Sequence, residues 1–190
     1  MKRFVWLILF AGCLAPAGFA QDHVQIGAYG DYFHMKQTGT NFAGLGARVG
    51  INSSPAIAWE AEMSYDFGQA FHETFTNGAT VNFQNSDLRV LHGLFGPKFQ
   101  IPHGPLRLFV TAKGGFVDFL FDQTPAGFSS FTSSVQGLRT SNVSGVFYPG
   151  AGVEGRIGPV GLRLDVGDEI YFNHGTYNNL RISFGPTITF

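Results

Sequence analysis

One stretch combines residue types and spacing that suggest covalent chemistry: Asn173-His174-Gly175-Thr176. An imidazole two residues from a hydroxyl could serve as a general base for a nucleophile, given a third group to orient it. Asp168 and Glu169 are the nearby carboxylates available for that task. The signal is weak, because the hydroxyl belongs to a threonine and the run has the composition of a polar loop tip. No catalytic residue is therefore assigned. The six histidines are scattered without the paired spacing of metal ligands, so neither metal nor cofactor is expected. Gly44-Leu45-Gly46 lacks the strand–loop–helix setting of a nucleotide fingerprint. A formal charge of −1 gives no basic footprint for nucleic acid.

A second set of titratable residues is larger: Arg48, Glu60, Glu62, Arg89, Arg107, Lys113, Glu154, Arg156, Arg163, Asp165 and Arg181. The elements that carry them explain the spacing. From Ile57 to Phe67, Ile57, Trp59, Ala61, Met63, Tyr65 and Phe67 alternate with Ala58, Glu60, Glu62, Ser64 and Asp66. Successive side chains of a strand point to opposite faces, so one face here is apolar and the other carries carboxylates. The same alternation runs through Val24–Tyr29, Leu45–Asn52, Leu106–Lys113, Ala151–Ile157, Leu162–Gly167 and Leu180–Phe190. It is weakest over Leu88–Phe99, where Leu91 and Phe95 fall on the expected polar face.

Eight strands follow, and their connections alternate in length. Ser53–Pro55, Gln100–Pro105 and Gly158-Pro159 read as tight turns, while 37–41, 68–85, 121–142 and 172–178 read as longer loops. Short turns at one rim and long loops at the other describe an all-β, eight-stranded antiparallel up-and-down barrel. Ahead of it, Lys2 and Arg3 precede the apolar run Phe4–Phe10, and Gly18-Phe19-Ala20 supplies small residues for cleavage after Ala20. Residues 1–20 are thus read as a signal peptide and 21–190 as the barrel domain. Cys13 leaves with the leader, so no disulfide is expected.

Alternation alone fits a soluble barrel as well as a transmembrane one. Three features favour the membrane. Glycine recurs on the polar face, at Gly27, Gly46, Gly50, Gly152, Gly167 and Gly185, as a crowded lumen requires. Tyr29, Tyr32, Trp59, Tyr65, Phe67, Tyr148 and Tyr171 lie near strand ends and are assigned to aromatic girdles. The last strand closes on Phe190. The charged set then becomes a lumen network, since eight strands enclose just enough room for side chains.

The segment Leu180-Arg181-Ile182-Ser183-Phe184-Gly185-Pro186-Thr187-Ile188-Thr189-Phe190 resembles the C-terminal insertion signal of outer-membrane barrels, with Phe184, Ile188 and Phe190 as its apolar positions. With the leader and the eight segments, the chain resembles the OmpA/OmpX-like family of small barrels. The resemblance implies a barrel-only member in the bacterial outer membrane, exported by its signal peptide and lacking a peptidoglycan-binding domain. It also implies outer-membrane lipid and lipopolysaccharide as surroundings and the barrel-assembly machinery as a partner during insertion. The loops at 68–85 and 121–142 carry Phe71, Phe75, Phe83, Phe128 and Phe131 and are candidates for an extracellular ligand. The expected role is structural or in surface interaction, with the lumen plugged and no catalysis. The alternatives are a narrow passive pore and a lipid A-modifying enzyme, because Asn173–Thr176 loosely resembles the His-x-Ser pattern of outer-membrane deacylases.

Overall fold

Strict alternation makes a sheet with one greasy and one ionic face, and such a sheet is stable only if it hides one of them. The computed structural model describes residues 23–77, 80–101, 104–121, 143–173 and 175–190, with backbone alone at 70–77, 80–87 and 121. The strands are β1 (Val24–Met35), β2 (Thr40–Ser54), β3 (Ile57–Asn77), β4 (Thr80–Gln100), β5 (Leu106–Phe121), β6 (Val143–Ile157), β7 (Val160–Phe172) and β8 (Thr176–Thr189). Each pairs antiparallel with its sequence neighbour, and β1 pairs with β8 to close the cylinder. No described helix is long and apolar enough to cross a membrane, which says nothing of a barrel.

The sidedness is uniform. Leu45, Met63, Leu108, Leu164 and Phe184 stand on the outer wall, and Trp59 stacks there on Phe95 with ring centroids 5.7 Å apart. Glu62, Arg48, Arg163 and Arg181 are turned inward and buried. A water-soluble barrel would have the inverse arrangement, and an apolar wall of this kind suits hydrocarbon. Phe184, Ile188 and Phe190 all lie on the outer wall.

Four sequence expectations need correction. The stretch 68–85 is not a loop, because β3 and β4 run through it and stay paired down to Asn77 and Thr80. Thr74, Phe75, Thr76, Val81 and Phe83 supply β-propensity that outweighs the polar composition around them. β2 accompanies β3 only as far as Asp66, and β5 accompanies β4 only as far as Leu88. Among the described residues the two continue beyond those points as a two-stranded ribbon. The connection predicted at 172–178 narrows to the residues between Phe172 and Thr176. That at 37–41 narrows to a turn before Thr40, with Gly39 at φ 65°. The loop predicted at 121–142 falls, past Phe121, outside the described residues, as does the signal peptide.

The third correction concerns the weak segment. Leu88, Val90, His92, Leu94 and Lys98 point inward, so the strand does alternate, but with apolar residues inside over its outer half. Arg89 consequently lies on the outer side, where its Nη1 donates to the Tyr65 hydroxyl at 3.4 Å, and is not a lumen residue. The fourth concerns aromatics. Tyr29, Tyr148 and Tyr171 are buried in the lumen and are not girdle residues, whereas Tyr32, Trp59, Tyr65 and Phe67 are on the outer side. The three share parity with the charged positions of their strands, and parity decides direction.

Placing a charge on this wall should be costly in proportion to its depth. Leu164→Lys is expected to lower the unfolding free energy by about 2–4 kcal/mol, read from urea titration in lipid vesicles. A variant as stable as the parent would show that Leu164 does not face hydrocarbon.

Candidate functional site

The lumen collects side chains from every strand into two layers. The layer nearer the short turns is ionic. Glu60 accepts from Arg163 at 2.5 and 3.1 Å and lies 3.1 Å from both Lys98 Nζ and Lys113 Nζ. Its neighbour Glu62 accepts from Lys113 at 2.8 Å, Arg48 at 3.1 Å and Arg181 at 3.3 Å. Asp165 takes Arg163 at 2.8 Å and the Tyr148 hydroxyl at 3.0 Å. Glu154, from β6, bonds Gln25 at 2.7 Å and sits 3.5 Å from Lys98.

Arg181 and His92 carry the network upward. Arg181 Nε and Nη2 clasp Asp31 at 2.7–3.0 Å, while Nη1 reaches Glu169 at 3.3 Å. Both ring nitrogens of His92 face carboxylates: Nδ1 lies 2.7 Å from Glu169 and Nε2 3.0 Å from Asp66. Asp31, Asp66 and His92 have the types and closeness of metal ligands. Their geometry is better described as ionic, since Arg181 occupies Asp31 and the two carboxylates occupy the ring.

Aromatic rings make the ionic layer fit. The ring of Tyr29 lies where a Cβ at Gly46 would stand, that of Phe109 where one at Gly152 would, and that of Tyr148 where one at Gly167 would. On these rings sit guanidinium groups, with Arg48 4.6 Å above Tyr29, Arg163 4.0 Å above Phe109 and Arg181 5.7 Å from Tyr148. Glycine on the polar face thus admits a flat ring, and the ring supports a cation.

Above lies an apolar layer of Phe33, Met35, Phe42, Leu88, Val90, Val117, Phe119 and Tyr171. Phe33 meets His92 edge-on at 4.9 Å and joins the layers. Tyr171 packs against Phe119 at 5.4 Å and donates its hydroxyl to Gln37 at 2.7 Å.

No protein-family model matches the sequence, and no curated protein matches it. Solved structures do match in shape. Neisserial surface protein A superposes with a TM-score of 0.56 at 12% identity, covering 88% of this chain and 96% of that one. OprG of Pseudomonas aeruginosa gives 0.52 at 9% identity, covering 91% and 98%. Ail of Yersinia pestis gives 0.50 at 13% identity, covering 90% and 99%. The fold is that of the small outer-membrane barrels.

Of the sequence-selected charges, the barrel brings Arg48, Glu60, Glu62, Lys113, Glu154, Arg163, Asp165 and Arg181 into one network. Arg156 lies at its edge, 3.8 Å from Glu154, and Arg107 stands at the short-turn mouth. Asp31, Asp66, His92, Lys98 and Glu169 were not selected. Strand parity could have found Asp66 and Glu169, which share a face with Glu62 and Asp165. His92 was hidden by the inverted pattern of β4. Glu169 bonds inward, and Asp168 accepts from Asn178 and Asn179, so neither is directed at Thr176 by its contacts. His174 lies outside the described residues.

Removing one partner of a buried pair strands the other. Arg181→Leu should cost about 3–5 kcal/mol in urea unfolding, and Asp31→Leu added to it should return part of the loss. Strict additivity of the two losses would refute the pairing.

Proposed function

We propose that the chain is a sealed outer-membrane barrel, exported by its leader, whose work is structural and at the cell surface, without catalysis. The observation that carries this reading is the filled lumen. Arg163, Arg181 and Lys98 are 1% exposed, and Lys113, Phe33 and Phe119 are 0% exposed. Water reaches almost none of this surface, so an ion would have to displace both an ionic and an apolar layer to cross. Eight strands leave no spare width for a path beside them.

In this reading, lipid and lipopolysaccharide cover the apolar wall, and the barrel-assembly machinery engages the strand ending in Phe184, Ile188 and Phe190. The β3–β4 ribbon stands on the side opposite the short turns, which is the outer side in barrels of this kind. It is the part of the described chain best placed to meet an extracellular ligand.

Planar-bilayer recording tests the reading against the narrow-pore alternative. The folded barrel should give no steady single-channel steps at any applied voltage that the bilayer tolerates. Reproducible steps of fixed conductance would overturn it. An altered lipid A mass spectrum in cells producing the protein would instead favour a lipid-modifying enzyme.

A further inference from the structure

The seam that closes the barrel forks at the end away from the short turns. The β1–β8 ladder stops at His34–Leu180, whereas β1 stays with β2 to Met35–Thr40 and β8 stays with β7 to Phe172–Thr176. The two hairpins part there, and a cleft of about 430 Å³ lies at the fork on the outer wall. His34 and Lys36 line it from the β1 side, Asp168, Asn178 and Leu180 from the β7–β8 side. Main-chain and amide bonds hold it in shape. Lys36 N donates to Asn179 Oδ1 at 3.1 Å, Asn179 N donates to Asp168 Oδ1 at 2.9 Å, and Asn178 Nδ2 donates to Asp168 Oδ2. A carboxylate with two amide donors keeps further acceptor capacity. Among the described residues the Lys36 ammonium makes no ion pair, and Asp168 is reached by neutral donors alone. The cleft thus presents one cation and one anion on opposing sides, neither neutralised by the other.

We propose that this cleft binds the zwitterionic headgroup of phosphatidylethanolamine, with Lys36 on the phosphate and Asp168 on the ammonium. A lysine ammonium is a compact point charge that suits phosphate, and a carboxylate accepts charge-assisted hydrogen bonds from a primary ammonium. Other headgroups satisfy one side only. A purely anionic headgroup leaves Asp168 without a counter-charge, and a choline headgroup has no N–H to donate to it. The height of the cleft on the wall fits a lipid. Below it Tyr32, Val166 and Phe184 are exposed on the same wall, and at its top stand the exposed Lys36 and Asn178. An amphiphile with its acyl chains on those apolar side chains has its headgroup level with the cleft. The inference rests on the reading of the wall as lipid-covered, but not on whether the lumen is sealed.

The test uses the full chain folded in non-ionic detergent, titrated with three short-chain lipids and read by native mass spectrometry. The probes are dihexanoyl phosphatidylethanolamine, phosphatidylglycerol and phosphatidylcholine, which share acyl chains and differ in headgroup. The parent should bind the ethanolamine lipid about tenfold more tightly than either of the others, since one charge-assisted hydrogen bond separates them. Lys36→Gln should weaken that binding about tenfold. Asp168→Asn should weaken it similarly and abolish the preference over phosphatidylglycerol, because the amide still accepts from Asn179 but no longer attracts an ammonium. Heat-modifiable gel mobility shows whether each variant folds, and Lys36→Gln, at the exposed end of β1, carries the test if Asp168→Asn does not. No binding of the ethanolamine lipid, equal affinity for all three lipids, or an affinity unchanged in a folded variant overturns the proposal. A conducting barrel that kept the preference would refute the sealed-lumen reading and leave this one intact.

Discussion

Closure of the sheet is the constraint from which the rest follows. Pairing of β1 with β8 closes the sheet, so the barrel itself has no edge strand, and it fixes the width of the interior. With an apolar wall outside, most strand charges go inside, and an interior of that width cannot bring a hydration shell with it. The charges must therefore solvate one another. Glu60 and Glu62 show the outcome, because together they are reached by Arg48, Lys98, Lys113, Arg163 and Arg181 from five other strands. Buried pairs of this kind add little net stability against an apolar filling. Their effect here is on register. A slip of one residue would turn Arg48 and Glu62 toward hydrocarbon, so the network penalises every misaligned barrel.

The two layers divide the lumen by chemistry. The ionic layer gives the barrel a directional, hydrogen-bonded interior that admits one arrangement. The apolar layer above it excludes water from one side and strengthens the interactions beneath by lowering the local dielectric. Phe33 against His92 is where the two meet. The ribbon of β3 and β4 rises on that same side, so the end of the barrel that presents the longest structure to the exterior is also the end with the driest interior.

Strand count, wall and lumen faces and the short turns were legible in the sequence because a period of two is a direct print of pleating. Ile57–Phe67 and Leu162–Gly167 needed nothing else. Three kinds of information were not legible. Tyr29, Tyr148 and Tyr171 have amphipathic side chains, and only parity, not residue type, separates a ring at the membrane interface from one in the lumen. Arg89 was misplaced because the inner face of β4 changes from ionic to apolar partway along, which inverts the local code without breaking the strand. The ribbon was read as a loop because Phe71, Phe75, Val81 and Phe83 are scattered among polar residues, too sparsely to set out one apolar face. Within the lumen, membership of the network followed from parity, whereas its pairings depended on register and could not be read from the chain.

The triplets of glycine, ring and guanidinium tie distant positions of the chain into units of heritable change. Gly46 has no room for a side chain while Tyr29 lies over it, and the Tyr29 ring in turn supports Arg48, 4.6 Å above. A lineage that acquires bulk at position 46 must lose it at 29 before the barrel closes again. Mutational drift in this protein is thereby channelled, with single steps at these sites selected against and compensated double steps tolerated.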